Sequence, residues 1–136
     1  MIVADTNVIS SLLLPTLFSD SVDTLYRIDP VWAAPSLWKS EFKNVLTLYL
    51  RKGLITLEKA LRLQENAELM MINNEFDVPS PHILALVNES KCSSYDCEFV
   101  ALAHQLNTPL ITQDNKLLKE FPSIAISISE FLDRKS

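Results

Sequence analysis

Glycine is almost missing from this sequence: Gly53 is the only one among 136 residues. A dinucleotide-binding fingerprint needs three glycines, and a P-loop needs two followed by Lys-Ser/Thr. Both routes to nucleotide binding are excluded. Cysteine is scarce as well. Cys92 and Cys97, the only two, form neither a C-x-x-C pair nor a disulfide framework and read as reduced packing residues. With His82 and His104, the only histidines, they match no zinc-ligand spacing. No apolar run approaches the roughly 20 residues that span a bilayer. The N-terminus has no basic segment, and Asp5 interrupts its apolar start, so no secretory leader is read and a cytosolic protein is expected. Positive charge is in deficit too, with 12 Lys and Arg against 17 Asp and Glu. That argues against binding nucleic acid through bulk positive charge. Local basic patches, or an acidic site that meets phosphate through metal ions, stay open.

What is present describes a single domain over residues 1–136, long enough to bury a core without disulfides. Hydrophobic residues make up 48% of the chain, a globular proportion. Strand and helix patterns alternate. Residues 1–4 read as a buried strand, residues 6–14 as a short helix stopped near Pro15, and Ser19–Ile28 as a second helix. Val31–Ala34 reads as a strand closed by Pro35. A long helix is expected from Ser36, ended by Gly53 as its C′ residue after Arg51-Lys52. A helix capped by Thr56 completes a hairpin with it. That hairpin is either a contact surface or a cover for the core. Short strands are expected at Phe76–Val78, Pro109–Thr112 and Ile124–Ile126, and helices at His82–Asn88, Tyr95 to about Leu106, through Leu117-Leu118, and around Phe131-Leu132. Alternation of this kind predicts an α/β three-layer sandwich, with a mainly parallel sheet of roughly five strands and helices on both faces.

Four acids stand out, each with a bland alternative. Asp5 ends the first strand, the sheet edge where α/β domains bind ligands, yet it also suits a helix N-cap. Asp114 repeats that arrangement after Thr112. Glu41 falls inside the apolar stripe Trp38, Phe42, Val45, Leu46, where a carboxylate is expensive unless paired. A core ion pair, or escape to water at the stripe's edge, would account for it equally. Asp96 is in register with Phe99, Val100 and Ala103 and points to the core face, but it also completes a Ser93-x-x-Asp capping box. A parallel sheet would bring all four to one edge. Carboxylates so close repel until a proton or cation joins them. Oxygen ligands of this type select Mg²⁺ or Mn²⁺. Such ions can hold a phosphodiester and activate water without a Ser or Cys nucleophile. Thr6, Asn7 and Thr112 could orient the carboxylates or bound waters.

Asp5-Thr6-Asn7 after an opening strand, Glu41 in a helix, Ser94-x-Asp96 before Phe99-Val100-Ala101-Leu102-Ala103, and Thr112-x-Asp114 after a strand resemble, in order and spacing, the PIN domain family. In size the chain resembles its VapC-type toxin ribonucleases from toxin–antitoxin pairs. The resemblance implies Mg²⁺- or Mn²⁺-dependent RNA cleavage, frequent homodimers, and a small antitoxin partner that lays a segment across the site. It makes Asp5 and Asp96 direct metal ligands, with Glu41 and Asp114 acting through water or as groups that position a base, and gives Thr112 an orienting role. Cys97 takes the place of a small residue after the third acid. Asn115 and Lys116 stand where some relatives carry a further acid. RNA would also need cations near the site: Arg51, Lys52, Lys116 and Lys119 are the candidates, with Lys39 and Lys43 next, although each by itself reads more readily as a solvated helix face. The competing expectation is a non-catalytic PIN-like binding module.

Overall fold

The computed structural model describes every residue, Met1–Ser136. The elements run β1 (Ile2–Ala4), α1 (Thr6–Leu13), α2 (Ser19–Ile28), β2 (Trp32–Pro35), α3 (Trp38–Arg51), α4 (Leu57–Met71), β3 (Glu75–Phe76), α5 (Ser80–Asn88), α6 (Ser94–Leu106), β4 (Leu110–Ile111), α7 (Asn115–Glu120), β5 (Ala125–Ile126) and α8 (Ile128–Lys135). The five strands form one all-parallel sheet in the order β3-β2-β1-β4-β5. The expected α/β sandwich is present, and its sheet is parallel throughout. β1, β2, β4 and β5 are buried along their whole length, as apolar strands covered on both faces must be. On one face α6 packs across β1, β2 and β4, with α5 against it. On the other, α1, α2, α3 and α4 pack on one another, α4 reaches β2, and α8 joins α2. Right-handed crossovers that run one way from β1 to β3 and the other way from β3 to β4 sort the helices in this manner. No helix is long and apolar enough to cross a membrane.

The strand order sets the position of the site. Connections leave β1 toward β2, while β4 lies on the other side of β1. The C-terminal ends of β1 and β4 therefore flank the point where the winding reverses, and a crevice opens there. Asp5 follows β1 directly and Asp114 lies three residues beyond β4.

Several boundaries differ from expectation for physical reasons. Pro35 belongs to β2 and does not close it. The flanking Ala34 and Ser36 N–H groups donate to Asn74 and Phe76 carbonyls on the β3 side. The missing Pro35 N–H therefore faces β1 beyond its last residue, where no ladder bond is lost. β3 is only two residues long and precedes Asp77. α5 starts at Ser80 and takes Pro81 into its first turn, where a proline has no intrahelical partner to lose. α4 buries Ala60, Leu63, Ala67 and Met71, while Leu57 and Leu61 are 65% and 62% exposed. Gly53 is at φ +70°. Its N–H donates to Leu50 O, and Leu54 N–H donates to Tyr49 O, the paired bonds of a Schellman stop.

Candidate metal-binding active site

Asp5, Glu41, Asp96 and Asp114 line one open cavity of about 720 Å³ together with Thr6, Asn7, Leu37, Ser40, Asn44, Val45 and Tyr95. Each acid reaches it from a different element. Asp5 is only 7% exposed. Its Oδ1 accepts from Thr6 N–H at 2.8 Å, and its Oδ2 accepts from the Thr112 hydroxyl at 2.7 Å and Asn7 Nδ2 at 3.3 Å. Asp5 therefore caps α1 and faces the cavity at once, so the two readings of this residue are not alternatives. Asp114 behaves likewise: its Oδ1 accepts from Lys116 N–H at 2.8 Å and Leu117 N–H at 3.3 Å at the start of α7. Glu41, in the first turn of α3, is half-buried and accepts the Thr6 hydroxyl at 2.7 Å through Oε1. No ion pair accounts for it, since none of the four ion pairs of the fold involves Glu41 or another cavity acid. At Asp96 the backbone N–H donates to Ser93 Oγ at 3.1 Å, and its carboxylate, which Ser93 also helps to hold, lines the cavity.

Thr112 lies beneath this set, fully buried. Its Oγ1 donates to Asp5 Oδ2 and accepts from Asp114 N–H at 3.0 Å and Asn7 Nδ2 at 3.4 Å. Asn7 Oδ1 in turn accepts Gln113 N–H at 3.2 Å. One hydroxyl thus ties the two strand-end acids together. Replacing Thr112 by Val keeps its shape and removes all three bonds. The expected cost is about 1–3 kcal/mol in denaturant unfolding, with a roughly tenfold to hundredfold loss of Mn²⁺ affinity by calorimetry.

The electrostatics are those of a site that lacks positive charge. Burial pushes the Asp5 carboxyl up to about 7 against the hydrogen bonds from Thr112 and Thr6, and repulsion from Glu41 and Asp96 adds to it. Burial raises Glu41 too, with Asp96 adding to it. Asp96 is raised by burial and by Asp114, and hydrogen bonding to Ser93 and the Lys116 charge offset part of that. Donors to Asp5 are all neutral, and an all-oxygen set of this kind suits a hard divalent cation. No three His, Cys, Asp or Glu side chains are close enough to hold one ion. An ion placed there would take one or two carboxylates directly and complete its coordination with water.

The basic candidates separate. Lys116 lies next to the site, and with Lys91, Asn115, Lys119 and Glu120 it lines a neighbouring cavity of about 330 Å³. Arg51 and Lys52 lie at the far end of α3, roughly 15 Å along the helix from Glu41. Lys39 is tied to Glu75 at 3.2 Å, and Lys43 is exposed. Sequence reasoning missed Ser40, Asn44, Tyr95, Lys91 and Glu98. Glu98 is a fifth acid near the set, raised by burial, Glu41 and Asp77. Asn44 had a positional signal only, since it follows Glu41 at i+3 on the same helix face.

An all-parallel α/β sheet with four carboxylates facing one crevice at its switch point defines a class of acidic-site domains. Within that class the chain belongs to the PIN domain family, which matches residues 2–122. Among curated proteins, none matches the chain in sequence. Among solved structures, PAE2754 from Pyrobaculum aerophilum is similar at TM-score 0.76 and 22% identity, covering 98% of this chain and 97% of that one. A toxin–antitoxin complex from Klebsiella pneumoniae is similar at TM-score 0.69 and 16% identity, covering 94% and 98%. FitAcB from Neisseria gonorrhoeae is similar at TM-score 0.66 and 20% identity, covering 95% and 99%. At these identities the likeness is one of fold.

Proposed function

We propose that this PIN domain is a Mg²⁺- or Mn²⁺-dependent endoribonuclease, acting as the toxin of a toxin–antitoxin pair. The observation that carries the reading is the cavity lined by Asp5, Glu41, Asp96 and Asp114, with no ion pair to any of them. Asp5 and Asp96 would hold the ion directly, with Glu41 and Asp114 acting through its waters. When bound, the ion supplies charge stabilisation for the phosphodiester and acidifies a water. Thr112 and Thr6 fix the Asp5 oxygens, and Thr6 also fixes Glu41 Oε1, so the carboxylates need no reorganisation to receive it. The toxin–antitoxin complex among the structural neighbours supports the toxin role and a small antitoxin partner. The exposed apolar side chains Leu57, Leu61, Leu69 and Ile72 of α4 and its C-terminal end are the surface we assign to protein contact, in a homodimer or with the antitoxin.

A non-catalytic PIN-like module is the second reading. It is favoured by one observation, that no three potential ligands gather tightly around a point. Incubating purified protein with a mixed RNA pool in Mn²⁺, Mg²⁺ or EDTA separates the two. Metal-dependent cleavage is the expected result. Mn²⁺ binding without any cleavage across the pool points to the module, and the absence of both sinks the acidic site.

RNA binding is assigned to Lys116 and Lys119. Glu at either position is expected to weaken binding of single-stranded RNA and to flatten the salt dependence, by about 0.7 in log–log slope for each phosphate left without its cation. Arg51→Glu and Lys52→Glu are expected to leave the slope unchanged. Fluorescence anisotropy across a salt series reads both.

A further inference from the structure

The cavity has two chemically different linings. Four of its residues are carboxylates, while Leu37, Val45 and Tyr95 are apolar or aromatic. Leu37 and Val45 are half-buried and pack against the core, Leu37 just before α3 and Val45 within it. Tyr95 is 63% exposed and sits in the first turn of α6, one residue before Asp96. A single exposed aromatic on a surface needs no explanation. This one lines the acidic cavity, which core packing does not require. Asn44 and Ser40, both exposed on α3, line the same cavity and bring an amide and a hydroxyl to it.

We propose that Tyr95, with Leu37 and Val45, forms a platform on which one unpaired nucleobase of single-stranded RNA stacks, with the Asn44 amide facing the base edge. The inference rests on the nuclease reading and assigns the residues of this chain that hold one unstacked base. Each lining accepts a different part of a nucleotide. The acids, once they carry a cation, attract the phosphate. A base attached to that phosphate needs a surface that is flat, apolar and uncharged. A tyrosine ring provides one, and stacking on it tolerates any base. An amide supplies both a donor and an acceptor and can discriminate among base edges. A duplex cannot use this platform, because its bases are already stacked and its edges lie in grooves. A protein segment laid across the site could cover the same side chains, and the two occupants differ in whether binding of RNA there needs a base.

The test compares two labelled octamers on one backbone, a mixed-sequence RNA and its abasic counterpart. Binding is read by fluorescence anisotropy with Ca²⁺ in place of Mg²⁺, and gels confirm that the RNA stays intact. The full chain is used as wild type, Tyr95→Ala, Tyr95→Phe and Asn44→Ala. The wild type is expected to prefer the base-bearing RNA by about tenfold. Tyr95→Ala should lose about tenfold on that RNA and nothing on the abasic one, as loss of one stacked base would. Tyr95→Phe should restore binding to within about twofold, and Asn44→Ala should alter the ranking of homopolymers. Equal binding of the two octamers by the wild type, or unchanged binding by Tyr95→Ala, overturns the platform and leaves that surface to a protein partner. If the wild type still cleaves RNA with Mn²⁺ in that case, the nuclease reading survives. No binding of either octamer and no cleavage would remove both.

Discussion

Asp96→Asn is expected to lower Mn²⁺-dependent RNA cleavage by at least about a hundredfold while leaving the fold as stable as before, or slightly more so. The size follows from the role assigned to this side chain. Disturbing the partners of a metal ligand already costs about 10- to 100-fold, and removing a direct ligand should cost no less. The stability follows from geometry. The bond that secures the start of α6 runs from the Asp96 backbone N–H to Ser93 Oγ, and the further contact of its side chain with Ser93 needs one oxygen that Asn also carries. Asn keeps that N–H. It also removes a half-buried charge that burial and Asp114 already disfavour. Two readouts are needed together: Mn²⁺ affinity by calorimetry, and the unfolding midpoint in denaturant. Lost affinity with an unchanged midpoint marks a ligand. A lowered midpoint with unchanged affinity would return Asp96 to the capping box and remove it from the site. Asp114→Asn provides the control, since Asn caps a helix about as well as Asp and α7 should stay capped.

The four acids are legible in sequence because each violates a local expectation. An acid at the end of an apolar strand, or in the register of a buried helix stripe, is an anomaly that periodicity exposes. Asp5 and Asp114 are ambiguous only while capping and ligation are treated as rivals, since one carboxylate has two oxygens and can serve both. Ser40, Asn44 and Tyr95 break no rule. Polar residues on a polar helix face, and a tyrosine in a first turn, look ordinary until the fold encloses them. Lys91 lies 25 residues from Lys116 in sequence, and only the packing of α7 brings them to one cavity. The partner of Lys39 is hidden for the same reason, because Glu75 comes from β3. Arg51 and Lys52 are different. Ten residues of helix separate Arg51 from Glu41, and the rise per residue alone places it about 15 Å from that acid. The strands are found because apolar runs flanked by turn residues are strong signals. Pro35 misleads because its effect depends on which neighbour its missing N–H would face, and that is a property of the sheet.

The apo protein should lose stability as the pH rises from about 4 to 8, and Mn²⁺ should restore it most at the alkaline end. Asp5 carries this effect. Its carboxyl is pushed up to about 7 from an ordinary value of 3.8, so between those values the folded state binds a proton that the unfolded state has released. Stability then falls as pH rises through the folded value. The full span is of the order of 4 kcal/mol at 1.36 kcal/mol per pH unit. Glu41 and Asp96 are raised as well and act in the same direction. His104 acts in the opposite direction, because its lowered value disfavours folding as pH falls through about 6.5, and the comparison with a variant cancels it. Asp5→Asn has no charge to bury. It keeps an oxygen for Thr6 N–H and gives up about 1 kcal/mol of bonding to the Thr112 hydroxyl. It should therefore be slightly less stable than wild type near pH 4 and more stable near pH 8, and the two curves of unfolding free energy against pH should cross. Saturating Mn²⁺ should raise the wild-type curve more at pH 8 than at pH 5.5, since the ion binds the deprotonated carboxylate, and should barely move the variant's. Parallel curves for the two proteins would mean that Asp5 stays ionised in the fold without help. The cavity would then have no need of a cation at its most buried acid.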